Sequence, residues 1–143
     1  MNTFTPLADE LKQKAASLPE SEQYWIGITG APGSGKSTVA RALMEELGDI
    51  AAVIPMDGYH YYRHELDQMD DPAEAHTRRG APFTFNAERC VNEMINARKT
   101  GEGSFPGFDH KVGDPVEGEI VLSKDIKIVL VEGIYLLLDE DPW

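Results

Sequence analysis

Nine consecutive residues, Gly30-Ala31-Pro32-Gly33-Ser34-Gly35-Lys36-Ser37-Thr38, fit the pattern G-x-x-x-x-G-K-[ST] known as Walker A. The glycines open backbone angles closed to other residues, so successive N–H groups can point into one concavity and hold phosphate oxygens. A helix starting at Lys36 adds its positive end. In this chemistry Lys36 reaches the β- and γ-phosphates of a nucleoside triphosphate and the Ser37 hydroxyl ligates Mg²⁺. The motif is specific for the ligand class and silent on the reaction.

Two carboxylates close apolar runs further along. Val53-Ile54-Pro55-Met56 leads into Asp57, and Val129-Leu130-Val131 leads into Glu132-Gly133. Ligands of open parallel sheets sit beyond the carboxyl ends of the strands, so both acids are expected on the phosphate-loop edge. Asp57 there can take the proton of an acceptor hydroxyl or hold Mg²⁺ through water; it also reads as a turn aspartate before Gly58. Glu132 resembles the acid that orients Mg²⁺ in phosphate-loop proteins, with Glu where Asp is usual, and reads alternatively as a strand-end surface glutamate; Gly133 is expected to let the backbone approach the phosphate loop.

Arg78-Arg79 can grip a phosphate or carboxylate of an acceptor, and reads equally as a solvated pair. Phe105-Pro106-Gly107-Phe108-Asp109-His110 sets aromatics beside an acid and an imidazole, suited to a small polar ring or to a packed hairpin. His60 and His64 fall on an irregular segment and do not read as a metal pair. Cys90 reads as core.

The elements that must position these groups follow from periodicity. Thr5-Pro6 starts a helix whose apolar face is Leu7, Leu11, Ala15 and Leu18, closed by Pro19. Tyr24–Thr29 reads as a buried strand, Lys36–Leu47 as a helix stopped by Gly48, and Ile50–Met56 as a second strand. Asp57–Phe85 is polar and irregular, with at most a short helix near Pro72–His76; connections of this length tend to be functional. Asn86 caps a helix to about Lys99, with Val91, Met94 and Ile95 inward and Gly101 as its stop. Gly103–Leu122 reads as a loop and hairpin, and Ile126–Leu138 as a third buried strand. Strands alternating with helices indicate a parallel α/β sheet.

The chain has 143 residues, enough for a single domain over 1–143. Its 25 acidic and 13 basic residues leave a formal charge of −12, a poor match to nucleic acid or an anionic membrane. One cysteine excludes an internal disulfide and a cysteine zinc site, which suits a reducing compartment. No signal-like N-terminus or membrane-length apolar run is present, so a cytoplasmic protein is expected.

Together these segments resemble the kinase superfamily of uridine kinase, pantothenate kinase and phosphoribulokinase. The resemblance runs from about Tyr24 to Leu138. It rests on Gly30–Thr38, Met56-Asp57-Gly58-Tyr59-His60, Arg78-Arg79-Gly80-Ala81-Pro82-Phe83-Thr84-Phe85, Phe108-Asp109-His110 and Val131-Glu132-Gly133-Ile134-Tyr135. The Arg-Arg-Gly-Ala-Pro segment is most similar to a less characterised branch associated with nucleoside, pantothenate or fructose-transport roles. The resemblance implies a P-loop three-layer α/β sandwich and transfer of the ATP γ-phosphate to an alcohol of a small metabolite. It implies Lys36 and Ser37 on the triphosphate and Mg²⁺, Asp57 as base, and Glu132 near the metal. Phe108, Asp109 and His110, with Arg79 more weakly, would line the acceptor pocket. Gly58 stands where uridine kinases carry serine, and the Phe108 loop differs, which weighs against uridine.

The family continues past the Glu-Gly strand into an arginine-bearing lid and further strands, in the spatial order second, third, first, fourth, fifth. Residues 1–143 are accordingly expected to be part of a longer polypeptide or a truncated gene product, with Tyr24–Thr29 at a sheet edge. A rival reading is a nucleotide-binding regulatory module or an ATPase without acceptor phosphorylation. The Asn-Lys-x-Asp run of a guanine-reading GTPase is absent.

Overall fold

The computed structural model describes residues 3–139, so both ends of the expected 1–143 domain lie outside the described residues. Helix α1 (Thr5–Ser17) precedes strand β1 (Tyr24–Thr29), helix α2 (Lys36–Leu47) and strand β2 (Ala51–Pro55). Two short helices, α3 (Arg63–Leu66) and α4 (Pro72–Thr77), lead to α5 (Ala87–Thr100). An antiparallel hairpin of β3 (Gly103–Asp109) and β4 (Asp114–Leu122) follows, and then β5 (Ile128–Gly133).

β5 lies between β1 and β2, parallel to both. Its period-2 alternation builds two cores. Ile128 and Leu130 point into one with Ala8, Leu11 and Ala15 of α1 and Leu43 and Leu47 of α2. Val129 points into the other with Ala97 of α5, Phe105 and Leu122 of the hairpin, and Ile54 of β2. The result is three layers: α1 and α2, the parallel sheet, then α5 and the hairpin. β1 is an edge of the sheet among the described residues, as the expected strand order requires.

Several local expectations shift. Phe4, not Thr5, occupies the N-cap of α1, and Ala8 faces the core while Leu7 is exposed. In α5 the buried set is Ala87, Cys90 and Ala97, with Ile95 exposed and Met94 partly buried against the second core. Helix propensity fixed both helices; packing against the sheet chose the face. The 57–85 segment holds two short helices rather than one, and the last strand stops at Gly133 rather than Leu138. Asn86 does cap α5, accepting from the Arg89 N–H at 3.1 Å, and Gly101 ends it at φ 78°.

Candidate active site

The register aligns the carboxyl ends of the three strands. Glu132 sits opposite Ile28 of β1 on one side and Pro55 of β2 on the other. The phosphate loop leaves β1 on this edge and Asp57 leaves β2, with Glu132 between them. Two strand spacings separate β1 from β2, about 10 Å.

Within the loop Gly33 and Gly35 adopt φ of 78° and 98°, and the Ser34 N–H donates to the Ala31 carbonyl at 3.0 Å. Gly35 is the left-handed N-cap of α2, and its carbonyl accepts the Val39 N–H at 2.9 Å. A Cβ on Gly30 would lie 2.5 Å from Ser34 Oγ, so a side chain there would displace the Ser34 hydroxyl. Gly33, Gly35, Lys36, Ser37 and Thr38 line a concavity, and Lys36 Nζ folds back to the Ala31 carbonyl at 3.5 Å. The loop is thus curled, with the first turn of α2 open toward it.

Ser37 Oγ donates to Glu132 Oε1 at 3.2 Å. A hydroxyl beside a carboxylate is a hard-oxygen pair. It fits Mg²⁺, which takes few protein ligands and fills its shell with water and phosphate oxygens. Consistent with so sparse a set, no group of three or more His, Cys, Asp or Glu gathers as a metal site among the described residues.

Asp57 lies in a single 3₁₀ turn, Met56–Tyr59, directly after β2. Its carboxylate is half-exposed, with Oδ2 4.0 Å from His110 Nε2. His60, which the sequence reading had not placed in the site, packs between Phe85 at 4.1 Å and Phe108 at 4.7 Å between ring centroids. Its Nδ1 lies 2.7 Å from the Asp57 carbonyl. A carbonyl only accepts, so Nδ1 carries the proton. Burial lowers the His60 pKa below its usual value, against the opposing pull of that hydrogen bond and of the Asp57 carboxylate. The neutral ring therefore keeps Nε2 as an acceptor. His110 meets Phe108 edge-on at 4.9 Å. His64 lies in α3, not in an irregular segment, and stacks on Tyr62.

The remaining expected residues divide. Phe108 and His110 join Asp57. Asp109 does not: its Oδ1 accepts the N–H groups of Lys111 and Val112 at 2.9 and 3.2 Å, closing the hairpin turn. Arg79 is mostly buried, and its guanidinium donates to the Tyr61 carbonyl at 2.8 Å and to the Gly113 carbonyl. It also faces Asp114 at 3.7 Å and lies over the Phe108 ring at 5.6 Å. Arg79 thus clamps the hairpin over the site; burial lowers its pKa, and its Nε is buried without a partner. Arg78 is exposed and reaches Glu74 at 3.6 Å.

Two glycines set the spacing. A Cβ on Gly58 would lie 2.0 Å from the Pro106 carbonyl oxygen, so glycine lets the turn after β2 touch the hairpin backbone. A Cβ on Gly133 would lie 2.5 Å from Met56 Cβ. Gly133 pairs with Thr29, the residue that leads into the phosphate loop, as expected, and its open face lies against Met56 at the start of the Asp57 turn.

A parallel sheet whose first strand runs into a Walker A loop, with an acid at the adjoining strand end, defines a P-loop α/β protein. The model of the phosphoribulokinase/uridine kinase family matches residues 25–141, and the chain belongs to that family. A Schizosaccharomyces pombe protein provisionally named uridine kinase C227.14 is 41% identical over 143 aligned positions, which cover 94% of this chain and 61% of the relative. The ATP-dependent kinase YFH7 of Lachancea thermotolerans is 34% identical, with 92% of this chain and 47% of the relative covered. The chain thus spans roughly half to three-fifths of these relatives' length. The crystal structure of YFH7 from Saccharomyces cerevisiae superposes with a TM-score of 0.83 at 21% identity, over 97% of this chain and 76% of that one. A Silicibacter protein provisionally named a fructose transport system kinase gives 0.79 at 28% identity, over 99% and 68%.

Proposed function

We propose that this chain is the catalytic core of an ATP-dependent kinase that phosphorylates a hydroxyl of a small metabolite. The loop amides of Gly30–Thr38 and the amino end of α2 bind the triphosphate, and Lys36 swings from the Ala31 carbonyl onto its terminal phosphates. Ser37 and Glu132 would hold Mg²⁺, which supplies charge neutralisation on the phosphoryl oxygens. Asp57 accepts the proton of the attacking hydroxyl, and His110 beside it and His60 Nε2 orient the acceptor. Phe108 and the His60 ring, backed by the buried Phe85, form an aromatic wall suited to the carbon face of a sugar-like ring. Phosphoryl transfer has a loose transition state, so positioning and charge carry most of the catalysis.

The observation that supports this reading is the alignment on one sheet edge of the curled loop, the Ser37–Glu132 contact and Asp57. The names of the kinase relatives agree with it. The test is incubation with ATP and Mg²⁺ against a panel of sugars, nucleosides and pantothenate-like alcohols, with products read by mass. A mass gain of one phosphate on one acceptor class is expected. ATP consumption that stays flat across the panel overturns the reading in favour of a nucleotide-binding module or plain ATPase.

A further inference from the structure

At the opposite edge of the sheet, where β1 and β5 begin, a pocket of about 450 Å³ opens between the start of β1, the end of α5 and the turn before β5. Arg98, Lys99 and Lys124 line it, together with Gln23, Trp25 and the carboxylate of Glu22. None of the three cations forms an ion pair or donates a hydrogen bond within the described chain. What sets these three apart is that they gather on one pocket in a chain of 25 acidic and 13 basic residues.

The pocket is braced. Gln23 Nε2 donates to the carbonyls of Gly101 at 2.9 Å and Ser123 at 3.2 Å, tying all three segments together. The Trp25 indole N–H donates to Gln23 Oε1 at 3.4 Å. Lys127 Nζ holds the preceding turn through the carbonyls of Glu20 at 2.6 Å and Pro19 at 3.2 Å. The hydrogen-bonding capacity of the frame is therefore spent on its own rigidity, while the charged heads remain available. Among the residues that line the pocket three cations stand against one acid, Glu22, a surplus of two positive charges. That matches a compact dianion, and a preformed pocket spares the cost of ordering its rim.

From this we infer that the pocket is a second anion site, distinct from the phosphate loop, for a small phosphorylated or diphosphate metabolite. Trp25 lies on β1, the strand that runs directly into Gly30, so occupancy is sensed on the element that carries the loop.

The site is testable without knowing the natural ligand. In the full chain carrying Trp143→Phe, Trp25 is the remaining tryptophan. Its emission is followed while pyrophosphate is added at fixed ionic strength. A saturable change is expected, and it should persist in Lys36→Ala, which weakens anion binding at the phosphate loop. It should weaken about tenfold in Arg98→Ala/Lys124→Ala, two exposed positions whose loss leaves the circular dichroism unchanged. A response that vanishes with Lys36→Ala assigns the anion to the phosphate loop and overturns the inference. So does the absence of saturation, or an affinity unchanged in Arg98→Ala/Lys124→Ala.

Discussion

The Ser37 hydroxyl and the Glu132 carboxylate meet at 3.2 Å although 95 positions apart in the chain. The parallel pairing of β1 with β5 brings them together, since it fixes the loop that follows Thr29 next to the end of β5. If this pair holds Mg²⁺, ATP affinity should depend on the ion through both side chains. Titration calorimetry with and without Mg²⁺ should show the metal strengthening ATP binding in the parent. Ser37→Ala or Glu132→Gln should cut that gain by about tenfold, the worth of one charge-assisted contact. Lys36→Ala should abolish turnover outright. Equal Mg²⁺ dependence in parent and Glu132→Gln would remove Glu132 from the metal site.

Asp57 separates from that pair in function. Its carboxylate lies 4.0 Å from His110 Nε2, beyond the end of β2 rather than in the Ser37–Glu132 pair. Asp57→Asn should therefore leave ATP affinity within about twofold while lowering transfer by about 10²–10⁴-fold, the usual contribution of a general base. Product formation with the acceptor found in the panel, measured beside ATP binding, checks both halves. Full transfer by the variant would show the base assignment to be wrong.

Gly58 tests how the acceptor side is built. The Pro106 carbonyl lies where its Cβ would go, and backbone cannot move aside as a flexible side chain can. Gly58→Ala should cost about 1–3 kcal/mol, the range for overpacking a filled site. It should also push the Phe108 hairpin away from Asp57. Urea unfolding reads the first effect, and a raised acceptor KM with an unchanged ATP KM reads the second.

The parts of this architecture that were legible in the sequence depend on local chemistry. The glycine-rich loop, the Asn86 and Gly101 caps of α5 and the apolar run of β5 each announce themselves within a few residues. The parts that were not legible depend on distant partners. Which face of α1 is inward, Leu7 or Ala8, is decided by α2 and the sheet. Arg79 offers a free guanidinium on paper, but the carbonyls of Tyr61 and Gly113 claim it once the hairpin folds over. Asp109 is likewise taken by its own turn. His60 escaped notice because its role depends on Phe85 and Phe108 closing on either side. Its signal was a histidine three residues after a strand-end aspartate, in reach of that residue's carbonyl.

Cys90 is buried on the sheet-facing side of α5, and burial pushes its thiol up to about 12. At pH 8 the thiol therefore stays overwhelmingly protonated, and the thiolate is the reactive form. The native chain should therefore resist a thiol reagent such as dithionitrobenzoate, and one equivalent should react in denaturant, matching the single cysteine. Rapid native labelling would mean that α5 opens locally far more often than its packing suggests.

His60 gives a pH dependence of definite sign. Burial favours its neutral form, so the folded pKa lies below the unfolded value of about 6.5. Between those two values the unfolded chain binds the proton and the folded chain does not, so stability falls as pH drops below about 6.5. The groups around the ring are the Asp57 carbonyl and carboxylate, Arg79 and His110. The Asp57 groups favour protonation; Arg79 and His110 add to the burial term. Glu117, whose hydrogen bonds from Arg89 hold its carboxyl below the usual range, works in the same direction, but in a more acidic window. Melting temperature should thus drop from pH 7.5 to pH 5.5 in the parent. His60→Gln can keep the donor to the Asp57 carbonyl and removes the titration, so it should lose less over the same interval. An equal loss in both proteins would place the acid-sensitive group elsewhere.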